Sequence, residues 1–217
     1  MKLEQLVLES LQGTEQHLSG ESLAERLGVS RGAVWKAVKR LQQTGVAIEA
    51  VTNRGYRLAD EVSLRKSWIL ERLRHKELEL VIEQEVDSTN TVVKRWAEEG
   101  APEGCVLLAE HQSCGRGRQG RSFYSPKQTG LYMSLLLRPG LSAREATLLT
   151  VCAAVAVAES IEAVTGRDAQ IKWVNDIFCD GKKVCGILTE AQFDLESGQL
   201  SYAALGIGVN LAPPQEG

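Results

Sequence analysis

Residues 114–121 read CGRGRQGR, three arginines interleaved with three glycines. Those two residue types together suit an anion: a guanidinium donates two parallel hydrogen bonds to phosphate oxygens, and glycine lets successive backbone N–H groups turn toward them with no Cβ in the way. Two other readings stand beside the cradle. A flexible basic segment for single-stranded nucleic acid would look similar, but this is one isolated unit between two apolar runs. A plain solvated loop needs no function, yet each glycine then raises the ordering cost by up to about 1 kcal/mol with no folded-state return. The spacing is not GxxxxGK[ST] and no helical pattern follows, so a P-loop is excluded.

Three further constellations fall at predicted strand ends or turns, where one pocket of a sheet domain could gather them. DSTN at 87–90 joins a strand to a helix and brings Ser88, Thr89 and Asn90 to a helix start, a position also explained by simple N-capping. KWVND at 172–176 puts Lys172, Asn175 and Asp176 at the end of an apolar strand, where an ordinary turn would read the same. GKKVCGIL at 181–188 offers Lys182 and Lys183 on a hairpin that enters a strand with Gly186 inside it; lysines there are commonly just solvated.

The elements that must position these groups are legible in the periodicity. Strand-like LELVIEQEV leads to a helix over STNTVVKRWAEEG that ends at Gly100, and buried CVLLAE runs straight into the arginine loop. LYMSLLLRP is a strand, residues 142–166 read as one long apolar helix closed by Gly166, and IKWV, DIFC and VCGILTEAQF are strands, the last two joined at Asp180-Gly181. SYAALGIGVNL adds another. This order predicts an α+β domain with a mixed or antiparallel sheet.

Ahead of it lies a different pattern. Leu3, Leu6, Val7 and Leu11 share a helical face; Ser22 and Glu25 have capping-box spacing for a second helix that stops at Gly28; Ser30 caps a third. In the third, Val34, Ala37, Val38 and Leu41 point inward, while Arg31, Lys36, Lys39 and Arg40 point to water. VAIEAVTNRGYRL then alternates and breaks at Asn53-Arg54-Gly55, with Arg54 at the tip. Helix, turn, basic helix and hairpin make a winged helix-turn-helix over residues 1–60. The polar stretch ADEVS at 59–63 is the expected linker, and the second domain is expected over 64–217.

Composition agrees with a folded protein. Of 217 residues 43% are hydrophobic and 24% charged, and the net charge is −3. Charge is uneven: residues 30–57 hold six Lys and Arg against Glu49 alone, which points to a polyanion for that stretch only. Five cysteines with no CxxC pair indicate neither a zinc site nor a disulfide scaffold. No stretch reads as an unbroken apolar run of about 18 residues, TLLTVCAAVAVA suiting a buried helix, and MKLEQLVLES lacks the pattern of a secretory signal. A cytoplasmic protein with no membrane association is expected.

In the order winged helix, DSTN, EHQSCGRGRQGR, SPKQTGLYMSLLLRP, KWVND, KKVCGILTE, GIGVN, the sequence resembles the bifunctional biotin protein ligases that also repress the biotin operon. The resemblance implies a catalytic fold like that of class II aminoacyl-tRNA synthetases and an enzyme that joins biotin to ATP, with Mg carried by the ATP and no protein-held metal. Biotinyl-5′-AMP would be held and its biotin passed to a lysine of a biotin carboxyl carrier protein. The adenylate-loaded form would dimerise and bind operator DNA through Arg31, Lys36, Lys39, Arg40 and Arg54. By the same resemblance Ser88, Thr89, Asn90 and Gln112 contact biotin, and Arg116, Gly117 and Arg118 belong to a loop that folds over biotin and phosphate. Gly115, Arg121, Lys172 and Asn175 attend the nucleotide, Lys183 touches the carboxylate and α-phosphate oxygens, and Asp176 orients the attacking amine; Lys183, Arg118 and Asp176 are the catalytic candidates. No residue is assigned to adenine.

Two departures stand out. Val174 occupies a place where the family usually has proline, a change expected to be tolerated, and the family's further helices and small C-terminal β-barrel have no counterpart after GIGVN. Two alternatives follow: a DNA-binding biotin sensor without ligase activity, which a carrier-biotinylation assay separates, and a lipoate or octanoate transferase, against which the arginine and glycine loop argues.

Overall fold

The computed structural model describes residues 2–12, 14, 16–44, 46–52, 54–58, 64, 66–74, 77–127 and 129–212. The chain divides into two compact units, Met1–Arg65 and Lys66–Gly217. The expected linker at 59–63 and the terminal PPQEG lie outside the described residues.

The first unit holds α1 (Leu3–Gln12), α2 (Gly20–Leu27), α3 (Arg31–Gln43) and an antiparallel hairpin of β1 (Ile48–Val51) and β2 (Gly55–Leu58). Its core is the apolar stripe of each helix: Val7 and Leu11, Leu23, then Val34, Ala37, Val38 and Leu41. The N-cap of α2 is Ser19, whose hydroxyl accepts from Ser22 N at 3.0 Å. The expected capping box at Ser22 and Glu25 is therefore one turn too late: both serines sit before an apolar stripe, and the local pattern does not distinguish them. Gly28 closes α2 at φ 64°, and Ser30 Oγ accepts from Ala33 N, as expected. Leu18 exchanges both backbone hydrogen bonds with Tyr56, widening the wing. Gly55 has φ 105°, and a Cβ there would overlap the Leu18 carbonyl, so this turn requires glycine.

The second unit begins with α4 (Lys66–Arg72) and then builds a seven-stranded sheet from β3 (Glu79–Glu83), β4 (Cys105–Ala109), β5 (Gly130–Leu137), β6 (Gln170–Lys172), β7 (Asp176–Cys179), β8 (Lys182–Phe193) and β9 (Leu200–Asn210). Their order is β3-β4-β5-β9-β8-β7-β6, with β3 and β4 parallel and all other neighbours antiparallel. This is the mixed sheet the sequence predicts. Alternation along β9 sorts the two faces. Tyr202 and Ala204 pack beneath α5 (Thr89–Glu98), and Leu205 packs beneath α6 (Ala146–Thr165) on the opposite side.

Helix α6 corrects three expectations. Residues 142–145 form a turn before it, where the Glu145 carboxylate accepts from Ser142 N and Oγ. Over its best 18-residue window its mean hydropathy is 1.7, so among the described residues it is long and apolar enough to cross a membrane by length and composition. Counting unbroken apolar runs missed this because threonine, serine and glutamate interrupt the sequence without lowering the average enough. Nor is it a buried helix. Ala153, Ala154 and Ala158 meet the sheet, while Leu148 and Val164 face outward, 54% and 85% exposed.

Candidate functional site

The cleft opens on the α5 face, just past that helix's first residue. There the sheet loses its side chains: Gly208 on β9 stands opposite Gly186 on β8, and Gly206 stands opposite Ser134 on β5. The bare backbone is covered by other groups. A Cβ at Gly206 would overlap the Asn90 amide, and one at Gly208 would overlap the Phe123 ring. Glycine here creates close approach, which a strand otherwise forbids.

Ser88, Thr89 and Asn90 are all but fully buried at the start of α5. Ser88 occupies the N-cap position yet makes no side-chain cap hydrogen bond, so the simple capping account does not use its hydroxyl. Thr89 donates from its backbone N at 2.9 Å and from Oγ1 at 3.2 Å to Gln112 Oε1, and it accepts from Ser134 Oγ at 2.8 Å. Ser134 is bifurcated, donating also to Asn90 Oδ1 at 2.6 Å. Asn90 Nδ2 in turn donates to Leu188 O and to Glu190 Oε2, at 3.1 and 3.0 Å. The buried side chains of Thr89, Asn90 and Ser134 are thereby each satisfied by a neighbour that is itself fixed, the condition for a rigid polar pocket.

Glu190 and Lys94, absent from the sequence-based site, tie this network to the arginine loop. Lys94 Nζ lies 2.6 Å from Glu190 Oε1, and Arg116 Nη1 approaches the same oxygen at 3.8 Å. Burial pushes the Glu190 carboxyl upward, but hydrogen bonds from Lys94 and Asn90, with the charges of Lys94 and Arg116, outweigh it and hold the group below the usual carboxylate range. The spacing of Asn90 and Lys94 at i, i+4 was the available signal, since it places both on one face of α5.

The loop itself is folded, not loose. Arg116 bridges Ser122, Phe123 N donates to Gly115 O, and Gly117 N donates to Arg121 O at 2.7 Å. Residues Arg118–Gly120 make a single 3-10 turn, with Gln119 and Gly120 at φ 56° and 73°. From this turn Arg118 Nη1 reaches 2.8 Å from Asn175 Oδ1 across the cleft. Asn175 donates to Asp176 Oδ1 at 3.0 Å, and Lys183 Nζ donates to the same oxygen at 2.7 Å.

The structure thus gathers Ser88, Thr89, Asn90 and Gln112, Arg116, Gly117 and Arg118 of the loop, and Asn175 and Lys183 around one cleft. Gly115 and Arg121 act through their backbones in closing the loop. Asp176 enters through Lys183 and Asn175. Lys172 is not brought in: it stands on the edge strand β6, its Nζ 5.5 Å from the Phe178 ring centroid. The Trp173–Val174 peptide bond, where the resemblance puts proline, is cis. Among the described residues, Arg116, Lys94 and Lys183 pair with the carboxylates of Glu190 and Asp176 while Arg118 meets the Asn175 amide, so this end of the cleft carries more cations than carboxylates, which suits an anion. Among the described residues no three carboxylate, imidazole or thiol groups converge as a metal site.

On the first unit, Arg31, Lys36 and Lys39 lie exposed on α3 and Arg54 lies exposed in the wing turn. Arg40 is already engaged, with Nη1 2.8 Å from Glu4 Oε1, and that hydrogen bond holds the Glu4 carboxyl below its usual range. Arg57, counted among the six cations, pairs with Glu49.

A winged helix-turn-helix unit ahead of a mixed sheet with a loop-covered cationic cleft defines a two-part protein that combines a nucleic-acid-binding fold with a ligase-type fold. Residues 2–57 match the HTH domain family, and residues 81–210 match the biotin/lipoate A/B protein ligase family. The chain belongs to the Biotin/lipoate A/B protein ligase family. It is 38% identical over 203 residues to the bifunctional ligase/repressor BirA of Bacillus spizizenii, covering 92% of this chain and 62% of the relative. It is 32% identical over 196 residues to the protein of that name from Escherichia coli, covering 89% and 59%. Among solved structures it is similar to the biotin protein ligase from Aquifex aeolicus in complex with biotin and ATP, with TM-score 0.50 and 34% identity over 64% of this chain and 55% of that one. The chain therefore spans about three fifths of the length of the curated relatives it matches.

Proposed function

We propose that this chain is a biotin protein ligase and a biotin-responsive repressor, with residues 64–217 carrying the ligase chemistry and residues 1–60 the DNA contact. A biotin carboxylate oxygen attacks the α-phosphorus of ATP, pyrophosphate leaves, and biotinyl-5′-AMP stays in the cleft. A carrier-protein lysine then attacks the acyl carbon and AMP departs. The buried wall of Ser88, Thr89, Asn90 and Gln112 holds the vitamin's polar ring. Arg116, Gly117 and Arg118 close over it and exclude water from the mixed anhydride, with Gly115 and Arg121 shaping the loop. Lys183 offsets the charge that develops on the carboxylate and α-phosphate oxygens. Asp176 and Asn175 hold Lys183 and Arg118 in place, and Asp176 orients the incoming amine. Magnesium enters with the nucleotide's phosphates. The partners are a biotin carboxyl carrier protein, operator DNA and, in the adenylate-bound state, a second copy; the setting is the cytoplasm.

The observation that carries this reading is Arg118 reaching across the cleft to Asn175, beside the Lys183–Asp176 pair. Mass spectrometry after incubation with biotin and MgATP tests it. The wild-type chain retains a mass equal to biotinyl-AMP; Arg118→Gly forms the adenylate but releases it; Lys183→Ala forms it about 100-fold more slowly. No retained adenylate and no pyrophosphate release would remove the ligase reading.

A further inference from the structure

Helix α3 turns by about 100° per residue, which sorts its exposed positions around the axis. With Val34, Ala37, Val38 and Leu41 buried, Gly32, Lys36 and Lys39 occupy the middle of the opposite face. Arg40 flanks that strip on the α1 side, where it meets Glu4. Trp35 flanks it on the other side, and an indole is the least expected group in a basic strip: it is 52% exposed. It lines a groove whose other walls are the N-terminal ends of α2 and α3 and the wing hairpin at Val51, Thr52 and Tyr56. Val51 is itself 41% exposed. The groove thus sets Arg31 on its α3 rim and Glu21 on its α2 rim, with the apolar side chains of Trp35 and Val51 exposed in its lining.

Phosphate oxygens reward Lys36 and Lys39 but have nothing to offer an indole face. On a DNA duplex the apolar feature reachable by a helix in the major groove is the thymine C5 methyl, which distinguishes one base pair from the others. Residues near the start of such a helix are the ones that meet base edges. Resting on the operator reading above, we propose that Trp35 is a specificity-determining contact, packing against a thymine methyl while Lys36 and Lys39 hold the adjacent phosphates.

The test uses the full chain with biotin and MgATP and a duplex pool randomised at its centre. Wild-type protein is expected to enrich a sequence containing a thymine whose replacement by uracil, which lacks only the methyl, lowers affinity about 4-fold. Trp35→Ala should lower affinity for that duplex about 10-fold, leave binding to a scrambled duplex unchanged, and become indifferent to the uracil replacement. Trp35→Phe should keep part of the discrimination. The uracil arm needs only the wild-type chain, so it stands even if Trp35→Ala folds poorly. Equal losses on selected and scrambled duplexes, an unchanged affinity, or uracil and Trp35→Ala losses that multiply at every thymine would overturn the assignment while leaving the operator reading intact. A wild-type chain that enriches no sequence would overturn both.

Discussion

At Glu190 the balance between burial and partners decides the charge state. Two hydrogen bonds and two cations keep the carboxylate ionised inside the cleft wall, so its folded-state pKa lies below the ordinary glutamate value. A group shifted in that direction contributes stability above its unfolded pKa and loses it as pH falls through the folded one. Glu190→Gln keeps the shape but removes the charge, leaving Lys94 and Arg116 without their shared counter-ion. We expect it to lower unfolding free energy by about 1–3 kcal/mol at neutral pH, with the difference from wild type closing as pH drops below about 4.3. Urea unfolding of both proteins at neutral and acid pH checks this; a difference that persists at acid pH would mean that packing, not charge, is what Glu190 contributes. The glutamine amide offers one acceptor oxygen to two donors, Asn90 and Lys94, so the wall around Asn90 loosens and biotin affinity should fall with it.

At the scale of elements, the cleft exists because β8 and β9 lack side chains where α5 begins. Gly206→Ala forces a methyl into the Asn90 amide, which Ser134, Leu188 and Glu190 already fix, so neither side can yield cheaply. The expected cost is about 1–3 kcal/mol with loss of biotin binding by calorimetry. Gly140→Ala, where a Cβ meets nothing within 4 Å, is the control and should change neither. The same contrast separates what was legible in the sequence from what was not. Ser30, Gly28, Gly166 and the Asp180–Gly181 turn declare themselves locally, because a cap or a positive φ is a property of a few adjacent residues. The partner of Asn90 lies 100 residues away on β8, and no short-range pattern identifies Glu190 as that partner. Lys172 shows the converse: Asn175 of the same KWVND run lines the cleft, while an edge strand carries Lys172 out to Phe178. The motifs supplied most of the residues that line the cleft, whereas the glycine floor and the Glu190 link required the sheet register.

Over the whole molecule, charge is segregated by unit. Residues 1–65 carry nine Lys and Arg against eight Asp and Glu, while residues 66–217 carry sixteen against twenty. Attraction to a polyanion must therefore come from a local patch, and ion pairing trims that patch further. Arg40 is neutralised by Glu4 and Arg57 by Glu49, which leaves Arg31, Lys36, Lys39 and Arg54 as the cations of the α3 and wing surface. Each phosphate contact contributes about 0.9 to the slope of log affinity against log salt, so these four set a ceiling of roughly 3.6 per chain for duplex binding. Lys36→Ala should flatten the slope by about 0.9, whereas Arg40→Ala should leave it nearly unchanged, because removing that guanidinium frees Glu4 to repel the phosphates and costs affinity without releasing a counter-ion. Titrations at several salt concentrations distinguish the two substitutions directly. Equal flattening by both would show that Arg40 leaves Glu4 for a phosphate, and a slope well above the ceiling would assign part of the contact to cations outside α3 and the wing.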